Sequence, residues 1–134
     1  FREKGILIEA RSYKTVHGIW NYFTVDDGQV DLKNSDYLGI GTLESFMKIK
    51  EYYGESKICP VYIEVEDGER LSRALKREKE QIHPKYEEMC RRFLADQEDF
   101  SEENIRRAGI TKRFQNENLD ICVKEIVNYI KSVQ

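Results

Sequence analysis

The run Ile58-Cys59-Pro60-Val61-Tyr62-Ile63-Glu64-Val65 reads as a strand, because β-branched and aromatic residues fill it. The elements on either side of it set the class. Downstream, Asp67 is placed to cap a helix. Upstream, residues 43–53 show helical spacing in Leu43, Phe46, Met47, Ile49 and Tyr53, and the pattern ends at Gly54. Before that helix, Tyr37-Leu38-Gly39-Ile40-Gly41 is a short apolar run consistent with a buried strand. Strand, helix, strand, helix is the rhythm of an α/β unit with parallel strands.

Further toward the start, residues 6–10 and 20–25 read as two more strands, with 14–18 as the loop between them and Asp26-Asp27-Gly28 as a turn. Phe1-Arg2-Glu3-Lys4-Gly5 reads as the tail of a helix stopped by Gly5. A domain rarely opens that way, so the chain reads as the back part of something longer. Toward the end, a helix over 68–81 turns Leu71, Ala74 and Leu75 inward and its arginines outward, and Pro84 breaks the chain. Tyr86, Met89, Cys90, Phe93 and Leu94 then form an i, i+3, i+4 stripe. Ser101 is a good N-cap for a short helix ending at Gly109. Residues 113–116 read as a brief last strand, and 118–133 as a helix with Leu119, Cys122, Val123, Ile126, Val127 and Ile130 on one face.

A chain of 134 residues can bury one real core. Apolar residues at 40% and charged residues at 35% are the balance of a soluble globular protein. No apolar run approaches membrane-spanning length and no segment resembles a signal peptide, so no membrane partner and a cytoplasmic location are expected. A net charge of −3 argues against a general nucleic-acid binder. Basic residues nevertheless crowd between Arg70 and Arg113, which leaves room for a local anion site. Cys59, Cys90 and Cys122 are odd in number, far apart and in apolar contexts, and the histidines are His17 and His83. Buried reduced thiols are expected, and no metal site.

Arg73, Arg77, Arg91 and Arg92 sit on two helices hinged about the loop that Pro84 breaks. Guanidinium groups meet phosphate oxygens two at a time and stay charged at physiological pH. Such an arrangement suits a phosphate-clamping lid. Taken alone, it equally suits two amphipathic helices solvated by their arginines.

Five segments, in order, resemble guanylate kinase of the bacterial type: Leu7-Ile8-Glu9, His17-Gly18 leading to Tyr22-x-Thr24, the helix through 71–77, the pair Arg91-Arg92, and Phe114-x-Asn116 before the last helix. The resemblance covers nearly the whole chain. It implies the parallel-sheet P-loop nucleoside monophosphate kinase fold, α/β in class and incomplete at its N-terminal part. Residues 1–36 would form a GMP-binding subregion, 37–77 and 113–134 the core, and 78–112 the lid with the helices after it. The phosphate-loop pattern Gly-x-x-x-x-Gly-Lys-[Ser/Thr] occurs nowhere in the sequence. The parts that would hold ATP phosphates and Mg2+ are therefore missing from this segment, which alone would be inactive.

By the same resemblance, Glu9 would accept hydrogen bonds from guanine N1 and the exocyclic amino group, a pair of adjacent donors that adenine lacks. Tyr22 would touch the GMP phosphate and Thr24 the base. Phe23 stands where the family usually has glycine, and Gly39, Gly41 and Thr42 replace a region that often carries an aspartate. Thr42 is taken as a substitute base contact, with Glu44 as either a source of charge or an ordinary first-turn carboxylate. Arg77 and Arg91 would clamp the transferring phosphoryl group, with Arg92 as the alternate, since neighbours on a helix diverge by about 100°. Arg73 and Asn116 would serve ATP. The implied activity is transfer of the γ-phosphoryl group of ATP to GMP, giving ADP and GDP. The competing implication is a catalytically inactive guanylate kinase-like module that binds a phosphorylated peptide in the GMP site.

Overall fold

The computed structural model describes residues 2–15 and 17–133. The chain divides into two compact units, residues 1–58 and 59–134.

In the first unit, strands β1 (Leu7–Thr15) and β2 (Gly18–Val25) form an antiparallel hairpin. Both run further toward their connection than the residue types suggest. The ladder is made by backbone groups, so polar Arg11, Ser12 and Lys14 can pair with Tyr22, Asn21 and Ile19, and Ser12 and Lys14 stay open to water. The turn tightens through Thr15, whose hydroxyl donates to the Gly18 carbonyl (2.9 Å) and accepts from the His17 N–H (3.1 Å). At the other end the register slips between Leu7 and Glu9, so β1 carries one extra residue. Such a bulge re-aims side chains. Here neighbouring Ile8 and Glu9 are both buried, which a regular strand would not allow.

Helix α1 (Leu43–Tyr53) packs on β1. Thr42 caps it, its hydroxyl accepting from the Ser45 N–H, and Gly54 closes it at φ 97°, donating to the Lys50 carbonyl at 2.8 Å. Tyr52 ties the helix back by donating to Asp26 (2.8 Å). Two expectations fail in this unit. Residues 37–41 form no strand, and Leu38 and Ile40 lie fully exposed. Apolar character alone does not make a strand without a ladder partner, and two glycines raise the entropy cost of extending the chain. Arg2 to Gly5 form a turn, with the Gly5 N–H on the Arg2 carbonyl (3.1 Å), where the tail of a helix is expected; Phe1 lies outside the described residues.

The second unit is built on a parallel pair, β3 (Tyr62–Glu64) and β4 (Arg113–Gln115). Between them run α2 (Asp67–Lys79), α3 (Tyr86–Asp99) and α4 (Glu102–Arg107), and α5 (Leu119–Val133) follows and packs on β4. Strand β3 is three residues long where eight are expected, because β4 offers only three partners and Pro60 has no N–H to give a ladder. The cap of α2 is Glu66 and not Asp67: its carboxylate folds back to accept from the N–H groups of Gly68 and Glu69, each at 2.9 Å. Ser101 caps α4 as expected.

The core of this unit gathers Met89, Ile105, Ala108, Ile110, Phe114 and Cys122. The expected stripe on α3 narrows to Met89 and Phe93, while Cys90 and Leu94 are exposed. Arg70 explains part of this: its guanidinium lies 4.0 Å from the Phe93 ring and bonds Gln97 at 2.8 Å, so a cation, not an apolar side chain, covers that face. Cys59 is likewise an exposed free thiol; of the three, only Cys122 is buried.

Candidate functional site: a buried carboxylate on the hairpin

Glu9 is 5% exposed, and among the described residues it is the one acidic side chain in the buried set. Three elements meet around it. Thr24, its cross-strand partner on β2, donates to Oε1 at 2.9 Å, and Ser45, in the first turn of α1, donates to the same oxygen at 3.0 Å. Arg11, two residues along β1 and therefore on the same face, brings Nη2 to 3.4 Å from Oε1 and Nε to 2.8 Å from Oε2. That last contact is an ion pair without hydrogen-bond alignment. Glu9 Oε2 and Arg11 Nε are both buried with no hydrogen-bond partner.

Arg11 is held on its other side. Nη1 donates to the Tyr13 hydroxyl at 3.2 Å and reaches Thr42 Oγ1 at 3.4 Å. The guanidinium carbon lies 5.9 Å from the centroids of both Tyr13 and Tyr22, whose rings meet edge to face at 5.6 Å. Burial pulls the Arg11 pKa down, but the Tyr13 hydroxyl and the Glu9 carboxylate outweigh it and leave the group above its ordinary value. The site is thus a charged acceptor and a charged donor side by side, with three serine and threonine hydroxyls and two tyrosines around them.

Of the expected base-site residues, Glu9, Thr24 and Thr42 come together here, and Tyr22 joins them through Arg11. Thr42 has a second duty as the helix cap, and Glu44 is an exposed first-turn carboxylate. Sequence reasoning missed Arg11 and Ser45. The i, i+2 spacing from Glu9 to Arg11 to Tyr13 along one strand face was the available signal for the first. Ser45 becomes visible only once α1 is laid on β1.

The expected phosphate and ATP residues lie in the second unit. Arg73 and Arg77 are on α2. Arg73 bonds Glu69 at 2.8 Å and reaches the Glu117 carbonyl at 3.4 Å, while Arg77 is exposed with no ion-pair partner among the described residues. Arg91 and Arg92 are on α3. Arg91 pairs with Glu88 of its own helix, and Arg92 reaches across to Glu78 of α2 at 3.6 Å. Glu78 also accepts from the Lys85 N–H at 2.8 Å, so one carboxylate ties both ends of the 80–85 connection. Asn116 is half-buried just past β4, its N–H on the Glu64 carbonyl at 2.9 Å. Among the described residues no group of His, Cys, Asp and Glu side chains is placed to hold a metal ion. Compared with known proteins, the chain matches no family model, no curated protein and no solved structure.

Proposed function

We propose that this chain carries the guanine-reading part of a guanylate kinase-like phosphotransferase, which moves the γ-phosphoryl group of ATP to GMP. The observation that carries the reading is the buried Glu9 carboxylate, with one oxygen filled by Thr24 and Ser45 and the other left without an aligned hydrogen-bond donor beside Arg11 Nε. A buried charge with an empty hydrogen-bonding position is costly unless a partner completes it. Guanine N1–H and its amino group are such partners, and adenine offers an acceptor at N1 instead.

The fold that goes with this reading is the parallel-sheet nucleoside monophosphate kinase fold. Arg77, Arg91 and Arg92 serve the transferring phosphoryl group, and Arg73 and Asn116 serve ATP. Arg91 and Arg92 exchange their present carboxylates for phosphate oxygens when the lid closes. The glycine-rich loop that cradles ATP phosphates and Mg2+ in such kinases is not among these residues, so guanine binding and not turnover is expected of the chain itself. No helix among the described residues is long and apolar enough to cross a membrane; a cytoplasmic location is part of the kinase reading proposed here.

Calorimetric titration with GMP and AMP tests the reading. GMP should bind the tighter of the two, and Glu9→Ala should weaken GMP by about 10- to 100-fold, the worth of a charge-assisted hydrogen bond, while leaving AMP nearly unchanged. Equal affinities in the unaltered protein would sink it. The competing reading, an inactive module that takes a phosphorylated peptide, parts from this one at Arg91 in a parent protein that carries the phosphate loop: there Arg91→Ala cripples turnover in a kinase and leaves peptide binding intact in a module.

A further inference from the structure

We infer that Arg11 is a second specificity residue of the base site, reading the O6 and N7 acceptors of the purine whose N1–H and amino group go to Glu9. The inference rests on the guanine-site reading of Glu9 and adds to it a residue of opposite charge. Its starting point is a pair of unsatisfied atoms. Glu9 Oε2 is a buried acceptor with no donor, and Arg11 Nε is a buried donor with no acceptor, 2.8 Å away but misaligned. Two such atoms side by side cost free energy that a ligand presenting an acceptor next to a donor would recover.

Guanine presents that pattern on neighbouring atoms, O6 and then N1–H. Adenine presents the reverse: its 6-amino donor would face the guanidinium, and its N1 lone pair would face the carboxylate. The planar fork of arginine also matches O6 and N7 together, the pairing by which arginine selects guanine elsewhere. Arg11 is held for such a role without being used up. The Tyr13 and Tyr22 rings lie 5.9 Å from the guanidinium carbon, while its hydrogen bonds to Tyr13 and Thr42 are long, at 3.2 and 3.4 Å. Where Glu9 selects for N1–H and the 2-amino group, Arg11 selects for the O6 and N7 acceptors. The two discriminations are separable.

Titration of the full chain with GMP, IMP and 7-deaza-GMP separates them. IMP lacks the 2-amino group; 7-deaza-GMP lacks the N7 acceptor and keeps O6, N1–H and the 2-amino group, so its contact with Glu9 is intact. The unaltered protein should bind GMP about fivefold or more tighter than 7-deaza-GMP, as a bidentate arginine contact implies. In Arg11→Met that ratio should fall toward one while the GMP-to-IMP ratio holds; in Glu9→Gln the GMP-to-IMP ratio should fall instead. Arg11→Lys, which keeps the charge and loses the fork, should also lose the N7 preference, and it serves if Arg11→Met does not fold. Three results would overturn the inference: an unaltered protein that binds 7-deaza-GMP as tightly as GMP, a folded Arg11 variant that keeps the ratio, or an Arg11→Met protein that binds GMP more tightly because the guanidinium only occupied the carboxylate. An unaltered protein that does not prefer GMP to AMP overturns the base-site reading itself, and this inference with it.

Discussion

A carboxylate that is 5% exposed and holds its hydroxyl donors at 2.9 and 3.0 Å depends on the placement of single atoms. Gly41 shows how tightly. A Cβ added there would stand 3.2 Å from the Ser45 hydroxyl and 3.3 Å from its Cβ, closer than side chains normally pack, whereas one added at Gly39 meets nothing within 4 Å. On the guanine-site reading proposed above, Gly41→Ala should push the hydroxyl off Glu9 and weaken GMP binding severalfold, with Gly39→Ala close to neutral. Titrating both proteins checks this, and equal affinities would mean that Ser45 gives way freely. A different test applies to packing. Ile105, 1% exposed, is the largest fully buried side chain, so Ile105→Ala removes apolar contact and leaves a cavity. Its cost should be about 2–5 kcal/mol, read as a lower denaturant midpoint at unchanged slope.

Elements with their own start and stop signals were legible from residue types. Helix α1 occupies the expected 43–53 with Gly54 after it, the Ser101 cap and α4 are in place, and α5 fills the expected span to within a residue. Each is closed by local hydrogen bonds that need no distant partner. Ser101 accepts from the Asn104 N–H at 3.3 Å, and Ser101→Ala should cost about 1 kcal/mol in chemical denaturation, typical of a lost N-cap. Strands were less legible, because a strand is as long as its partner allows. Residues 37–41 have the composition of a strand and no ladder; β3 is trimmed to the three residues that β4 pairs; β1 is lengthened by a hairpin that residue preference did not show. The site divides in the same way. Glu9, Thr24 and Thr42 were named from the resemblance, and the fold brings them together. Arg11 hid as a polar residue in a strand, and Ser45 as an ordinary first-turn serine, because their roles exist only after a bulge turns Glu9 inward and α1 closes over it. The Glu66 cap was missed because aspartate, one residue on, is the commoner capping residue.

Across the whole chain, the net charge of −3 conceals a set of carboxylates that are worth most when ionised. Glu66 is held below the ordinary glutamate value of 4.5 by the N–H groups of Gly68 and Glu69, Glu88 by its hydrogen bond to Arg91, and Glu102 by its hydrogen bonds to Arg113. The sign follows directly. A carboxylate with a lowered pKa in the folded protein takes up a proton more readily once unfolded, so its contribution is complete above about 4.5 and is lost as pH falls through the lowered value. The melting temperature should therefore hold on the neutral side and drop as pH is lowered below 4.5. Glu66 and Glu102 are exposed and Glu88 is half-buried, and the three should answer differently to salt. Glu88 and Glu102 pair directly with guanidinium groups at the protein surface, and salt on the order of 1 M should screen much of their share. Glu66 bonds backbone N–H groups of its own helix start, a contact set by short-range geometry. Glu66→Gln should flatten part of the acid limb at low and high salt alike, whereas Glu102→Gln should flatten it mainly at low salt. Melting curves of the two variants from pH 3 to pH 6, roughly the interval over which lowered carboxylates titrate, decide the matter. A Glu66→Gln protein whose acid limb is as steep as that of the unaltered chain would mean that the α2 cap contributes nothing to acid stability.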